Sequence, residues 1–176
     1  MSIPDTEYLL DKGDRIVSVG GAWDSFAKEN GAAKVFSGDV CGRSVWDYVT
    51  GDATRMWLEA LFQLARLRRT EIERPYRCDS PDVKRFMRMR IAVEQGGLLR
   101  IGHEILATEK RPASVHIQYG SETTKNLRQR CSICGRIRGD GWQEPHPEDA
   151  DISGILVVIY TVCKDCRVYP HSRNLS

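Results

Sequence analysis

Residues 84–108 read Lys84-Arg-Phe-Met-Arg-Met-Arg-Ile-Ala-Val-Glu-Gln-Gly-Gly-Leu-Leu-Arg-Ile-Gly-His-Glu-Ile-Leu-Ala-Thr108, with apolar side chains at alternate positions on both sides of a glycine pair. Met87, Met89, Ile91 and Val93 fall on one side, Arg88, Arg90 and Glu94 on the other. After Gln95-Gly96-Gly97 the positions Leu99, Ile101, His103, Ile105 and Ala107 share a face. Strict alternation of this kind makes two half-buried strands, and a short glycine turn between them makes the pair antiparallel. Just upstream, Ile72, Tyr76 and Cys78 alternate with Glu71, Glu73 and Arg77. Pro75 assigns that strand to a sheet edge, because a central strand needs the amide donor that proline lacks.

Further out the period changes. In residues 53–69 Trp57, Leu61 and Leu64 share a helical face, Leu58, Phe62 and Ala65 widen it, and Arg66, Arg68 and Arg69 load the last turn, where cations suit the helix dipole. Residues 22–29 place Trp23, Phe26 and Ala27 at helical spacing before Asn30-Gly31, and Val45 to Val49 allows a helical turn or two. Residues 7–19 form a hairpin around Asp11-Lys-Gly-Asp14. Two strands, several short helices with one long one, and three antiparallel strands predict an α+β domain ending near Thr108.

The order of these elements, with Gly20-Gly21-Ala22-Trp23-Asp24 after the hairpin and Gly42-Arg43-Ser44-Val45-Trp46-Asp47-Tyr48-Val49 before the long helix, resembles a PAS-type sensor domain. Tyr76-Arg77-Cys78-Asp79-Ser80-Pro81-Asp82, followed by Arg85-Phe86-Met87-Arg88, resembles a bacterial subgroup in which such a domain precedes a short cysteine-paired tail. The resemblance spans residues 5–108 and 129–167. It implies a five-stranded antiparallel sheet in the order 2-1-5-4-3, with helices on one face around a small-molecule cavity. The subgroup carries a His-Gly phrase before its second cysteine pair, where this chain has Tyr160-Thr-Val-Cys163. The four cysteines are untouched by that departure, and His171 reads as a solvated tail residue. The resulting division is a PAS-like domain over 5–108, a linker with one short strand and a short helix over 109–128, and a zinc-ribbon-like module over 129–176.

Cys131-Ser-Ile-Cys134 and Cys163-Lys-Asp-Cys166 carry the sharpest chemical signal. Each Cys-x-x-Cys turn holds two thiolates on one side of an ion, and two turns close a tetrahedral zinc site with no position left for a catalytic water. Gly135 after the first pair lets the knuckle backbone fold back toward sulfur. Cys131, Cys134, Cys163 and Cys166 are therefore the expected ligands of a structural zinc. The alternatives are a thiol–disulfide redox pair or redox switch, or a nucleic-acid-binding zinc ribbon using Arg136 and Arg138. A thioredoxin-like strand-to-helix context is missing, and Asp140, Glu144, Glu148, Asp149, Asp151 and Asp165 dilute the basic edge.

In the PAS-like domain, His103, Trp57 and Met89 are the candidate pocket residues. A histidine on the covered sheet face can bind a small molecule or a haem, though such residues more often serve as hydrogen-bonded core. Trp57 and Met89 at helix and strand periods equally suit plain core. The Asn-Cys-Arg-Phe-Leu type phrase of flavin-binding light sensors is absent from the sequence.

The remaining composition excludes more than it assigns. With 26 Lys and Arg against 24 Asp and Glu, the formal charge is +2, so no strong overall field recruits nucleic acid or anionic lipid. The longest apolar run, Ile155 to Tyr160, has strand length and falls far short of a membrane span. The acidic start Met1-Ser-Ile-Pro-Asp-Thr-Glu lacks signal-peptide grammar, and six cysteines in that setting suit the cytoplasm. There is no phosphate loop, nucleophile elbow or helix-turn-helix. The expectation is a non-catalytic cytoplasmic regulator that acts on another signalling protein, as a homodimer through its PAS-like domain.

Overall fold

The computed structural model describes residues 5–120, 124 and 126–167. Its first sheet is built by β1 (Thr6–Leu10), β2 (Ile16–Gly21), β3 (Ile72–Arg77), β4 (Val83–Val93) and β5 (Leu99–Lys110), all antiparallel, in the order β2-β1-β5-β4-β3. That is the order the resemblance implied, and β3, with Pro75, lies at an edge. The alternation in β4 and β5 becomes the longest pairing, with Ile91 opposite Ile101 and Met89 opposite His103. Near its end the register shifts, so that Met87 faces Ile105 while Phe86 faces Ala107. Leu106 is the extra residue of this bulge, and the bulge turns Ala107 away from the face that Ile105 shares with Leu99 and Ile101. Ala107 is exposed accordingly.

Between β2 and β3 lie α1 (Trp23–Glu29), α2 (Ser37–Val40) and the long α3 (Asp52–Arg68). The apolar stripe of α3 buries Leu61, Phe62 and Ala65 against Leu10, Met89, Ile91, Leu99 and Ile101. The opposite face of the sheet carries an ion-pair ladder, Arg88 to Glu104, Arg90 to Glu73, and Arg100 to both Glu7 and Glu94. One face is thus apolar and helix-covered, the other charged and solvated.

The second sheet differs from the expected small ribbon. It comprises β6 (His116–Tyr119), β7 (Arg128–Cys131), β8 (Ile137–Arg138), β9 (Trp142–Gln143) and β10 (Ile155–Thr161), in the order β6-β10-β7-β8-β9. The run 155–161 is a strand, as its apolar continuity predicts, and it pairs parallel with both β6 and β7. Leu156 and Val158 on one face are buried and Ile155, Val157 and Ile159 on the other are half-buried, so both faces carry apolar residues and the sequence shows no alternation. Because β6 belongs to this sheet, the stretch expected as a linker is structured: β5 runs to Lys110, Arg111 and Val115 are buried, and His116 to Tyr119 pair with β10. Most of the short helix expected near residue 123, and His171, lie outside the described residues. A last short helix, α4 (Lys164–Arg167), follows β10.

The sheets meet at α3 and at the end of β3. Gly51, at φ 87°, starts α3 so close to Tyr160 of β10 that a Cβ there would lie 2.9 Å from the tyrosine Cβ. No helix among the described residues is long and apolar enough to cross a membrane.

Candidate metal centre

β7 and β10 run side by side in the same direction, with Cys131 opposite Thr161. Both strands therefore release their chains at the same end of the sheet, and each chain there enters a Cys-x-x-Cys segment. The first knuckle closes through Cys131 N–H donating to Arg136 O at 2.8 Å and Gly135 N–H donating to Cys131 O at 2.9 Å. Ser132 N–H donates across to Thr161 O at 2.9 Å. The second knuckle closes through Cys166 N–H to Cys163 O at 3.1 Å, which places Cys166 on α4. Gly135 has φ 73°, and a Cβ there would meet Asp79 Oδ2 at 3.1 Å and Arg130 Nη2 at 3.2 Å, so the left-handed turn and the close approach both require glycine.

The four Sγ atoms all lie within 4.8 Å of one another. Cys134 Sγ and Cys163 Sγ, from different knuckles, are 3.9 Å apart. A tetrahedron with zinc–sulfur bonds near 2.3 Å has an edge of about 3.8 Å, whereas a disulfide needs about 2.05 Å. The arrangement matches a closed four-thiolate site, and four soft donors without oxygen or water suit zinc. The four cysteines can hold a metal ion such as zinc, as their spacing predicts.

Their electrostatics follow from crowding. The Cys131 thiol is drawn down to about 4 by the Cys134 thiol and by the amides of Cys134, Cys163 and Ile133. The Cys134 thiol is pushed far up by its bond to Cys131 and by burial. Burial and the neighbouring thiols push Cys166 up to about 12. Protein groups alone stabilise the Cys131 thiolate and disfavour those of Cys134 and Cys166; a divalent cation would stabilise thiolates throughout the cluster. A zinc tetrathiolate carries net charge −2. Arg136, Arg138, Lys164 and Arg167 line the adjoining groove with Asp140, Asp165 and Cys163. The cations outnumber the acids there, so the groove would partly offset the negative charge of a zinc tetrathiolate.

The first sheet supports the knuckles. Arg77 N–H, at the end of edge strand β3, donates to Ile133 O at 2.7 Å, inside the first Cys-x-x-Cys. The Asp79 side chain, 2% exposed, accepts from Arg77 at 2.6 Å, Arg111 at 2.8 Å and Arg130 at 3.2 Å. Arg130 immediately precedes Cys131 and also donates to Gly135 O. Glu144 takes the other side of Arg77 at 2.6 Å. Burial pushes Glu144 up, yet Arg77 and Lys84 hold it below the usual carboxylate range. Trp57 and Tyr76 pack against Cys131, Ile133, Val162 and Cys163.

A cavity of about 240 Å³ lies on the other side of Tyr76, between α1 and the sheet. His103 lines it, with Nδ1 2.8 Å from Tyr76 Oη and its ring stacked on Tyr8. Burial pulls His103 down to about 4, so the imidazole is neutral. Trp57 and Met89 do not line this cavity. Trp57 sits between the main core and the cysteines, and Met89 is buried under α3. Met87, two residues along the same strand face, takes the expected place of Met89, and Cys78 joins it. Of the other two cysteines, Cys41 is exposed.

Sequence reasoning missed Asp79 and the double role of Tyr76. The alternation through Tyr76-Arg77-Cys78-Asp79 was the available signal, since it sends Tyr76 and Cys78 one way and Arg77 and Asp79 the other. No known family, curated protein or solved structure matches this chain.

Proposed function

We propose that this chain is a non-catalytic regulatory protein, in which a PAS-like domain senses a small molecule and a structural zinc site on Cys131, Cys134, Cys163 and Cys166 holds a second module against it. The observation that carries this reading is the segment Tyr76–Asp79. Tyr76 and Cys78 line the cavity, while Arg77 and Asp79 hold the first knuckle. Strand order β2-β1-β5-β4-β3, helices on one face and a cavity beneath α1 support the PAS-like part. A ligand that repositions Tyr76 shifts the population of knuckle arrangements, and a partner protein reads the second sheet. The reducing cytoplasm, where thiols stay available to metal, is the fitting compartment, and a homodimer through the PAS-like domain is the fitting assembly.

The test is metal content, absorption spectrum and thiol alkylation on protein purified without added metal. One zinc per chain, no visible band, and thiols protected until a chelator is added are the expected results. Absence of metal together with four freely alkylated thiols would replace this reading with a thiol–disulfide protein.

A further inference from the structure

The cavity beneath α1 has a selective lining. Tyr8, Trp23, Phe26, Tyr76 and His103 supply five rings, and Cys78 and Met87 add polarisable sulfur. No Asp, Glu, Lys or Arg is among the described residues that line it, and the Arg85 guanidinium, 5.9 Å from the centre of the Phe26 ring, is not part of that lining. An ionised ligand would lose its hydration there with no charged side chain in direct contact. Flat π-systems, in contrast, gain offset and edge-on ring contacts that a saturated molecule of the same size cannot make. About 240 Å³ is smaller than the roughly 300 Å³ at which pockets for drug-sized ligands begin, so a porphyrin does not fit without moving the walls.

Two polar atoms are available to orient an occupant. His103 spends Nδ1 on Tyr76, and its Nε2 has no hydrogen-bond partner among the described residues. The Tyr8 hydroxyl also lacks one there, and burial, with Asp14 adding to it, keeps that hydroxyl protonated. A ligand hydroxyl can both donate and accept, so it satisfies either histidine tautomer.

We infer that this cavity selects an uncharged planar molecule of one or two aromatic rings bearing a hydroxyl or ring N–H, and that its occupancy is felt at the cysteine cluster through Tyr76. The inference rests on the proposed reading of the cavity as the sensing site. An occupant bonded at His103 Nε2 fixes the ring tautomer and with it whether Nδ1 donates to or accepts from the Tyr76 hydroxyl, and Tyr76 packs directly on the residues around Cys131 and Cys163. Arg77, the next residue, carries any displacement into the knuckle through its bond to Ile133 O. Linkage then works in both directions: the ligand changes how readily metal leaves, and metal loss changes how well the ligand binds.

Naphthol, naphthoate and decalinol are matched probes, since they share a bicyclic skeleton and differ in charge and planarity. Calorimetry on the zinc-loaded full chain should show one naphthol per chain, with naphthoate and decalinol weaker by about tenfold or more. Ala32 lines the same cavity, and Ala32→Phe should abolish naphthol binding while leaving zinc stoichiometry unchanged. Naphthoate or decalinol binding as tightly as naphthol, no naphthol binding, or full binding to Ala32→Phe would each overturn the ligand assignment. Zinc transfer to a chromophoric chelator, with and without saturating naphthol, reads the second half. A change of about fivefold in the equilibrium partition of zinc between protein and chelator, lost in Tyr76→Phe, is expected at the low end of such couplings. Naphthol binding with an unchanged partition would keep the ligand class and overturn the coupling, and with it the sensing reading.

Discussion

The first sheet has strands of up to 12 residues and a core in which α3 covers five strands with Leu61, Phe62 and Ala65. The second has strands of two to seven residues, and its own apolar cluster contains only Val115, Ile137, Leu156 and Val158 as buried members. Burial of large side chains offsets the ordering of the chain in the first case. In the second, less apolar area is removed from water for the backbone that is ordered. What the second sheet offers instead is a place for a cross-link: four cysteines that could hold a metal ion gather where its two adjacent parallel strands end, and Asp79 ties that end to the first sheet. Under the proposed reading, metal–ligand bonds there would stand in for hydrophobic area, and the contrast can be broken experimentally from either side.

Chelation is expected to have the largest effect. Structural zinc contributes about 10–16 kcal/mol of apparent folding free energy in small domains. Its removal should abolish amide protection from 128 to 167 while β1, β4 and β5 keep theirs in hydrogen exchange. Unchanged protection of β7 and β10 in metal-free protein would mean that the second core suffices alone. Next comes Asp79→Asn, which leaves Arg77, Arg111 and Arg130 gathered around a neutral group. Removing one partner of a buried pair costs about 3–5 kcal/mol. The expected result is a lower denaturant midpoint and faster zinc release, because this carboxylate serves both sheets.

Ile91→Ala addresses the opposite side. Ile91 is fully buried at the centre of the first core, and its truncation should cost about 2–5 kcal/mol with zinc stoichiometry intact. A comparable midpoint loss accompanied by metal loss would show that the sheets unfold as one unit. The smallest effect is a graded pH dependence. His103 falls to about 4 in the folded protein from an ordinary value near 6.5, so between these values the unfolded chain binds the extra proton. Stability therefore falls as pH drops from about 6.5 to 4, and His103→Phe should flatten that slope in pH-dependent denaturation. The groups facing His103 are Tyr8, Tyr76 and Cys78, whose ordinary values are all raised, so none of them titrates in that window.

The same contrast governs what the sequence disclosed. Alternation over ten residues on each side of Gly96-Gly97 leaves little freedom in pairing, and Pro75 marks an edge. The helical period of residues 53–69 gives a face but not the end of the sheet it meets, which is why Trp57 resembled a pocket residue and proved to sit beside the cysteines. Ala107 was misassigned because a single-residue bulge leaves no mark in a period-two pattern. β7, β8 and β9 are two to four residues long, too short to show a period, and β7 and β8 carry arginines. The parallel partners of β10 lie far away in sequence, and local patterning is blind to them. The four cysteines that could hold a metal were legible because such chemistry fixes both residue type and spacing. The Asp79 cluster was not, since its arginines come from three separate segments.

Strand β10 is the last strand in chain order among the described residues, yet it lies between β6 and β7. On a growing chain, β6 and β7 emerge with no strand to pair with across the gap, and Cys131 and Cys134 wait for their second pair until Cys166 has been made. The first sheet needs nothing beyond residue 110 and can form during that wait. Synthesis therefore delivers all the strands of the first sheet before the second sheet can close, because the interior strand β10 that joins β6 to β7 arrives last. Until β10 is made, Cys131 and Cys134 form only half of the four-thiol cluster, and the pair that completes it, Cys163 and Cys166, follows that strand directly.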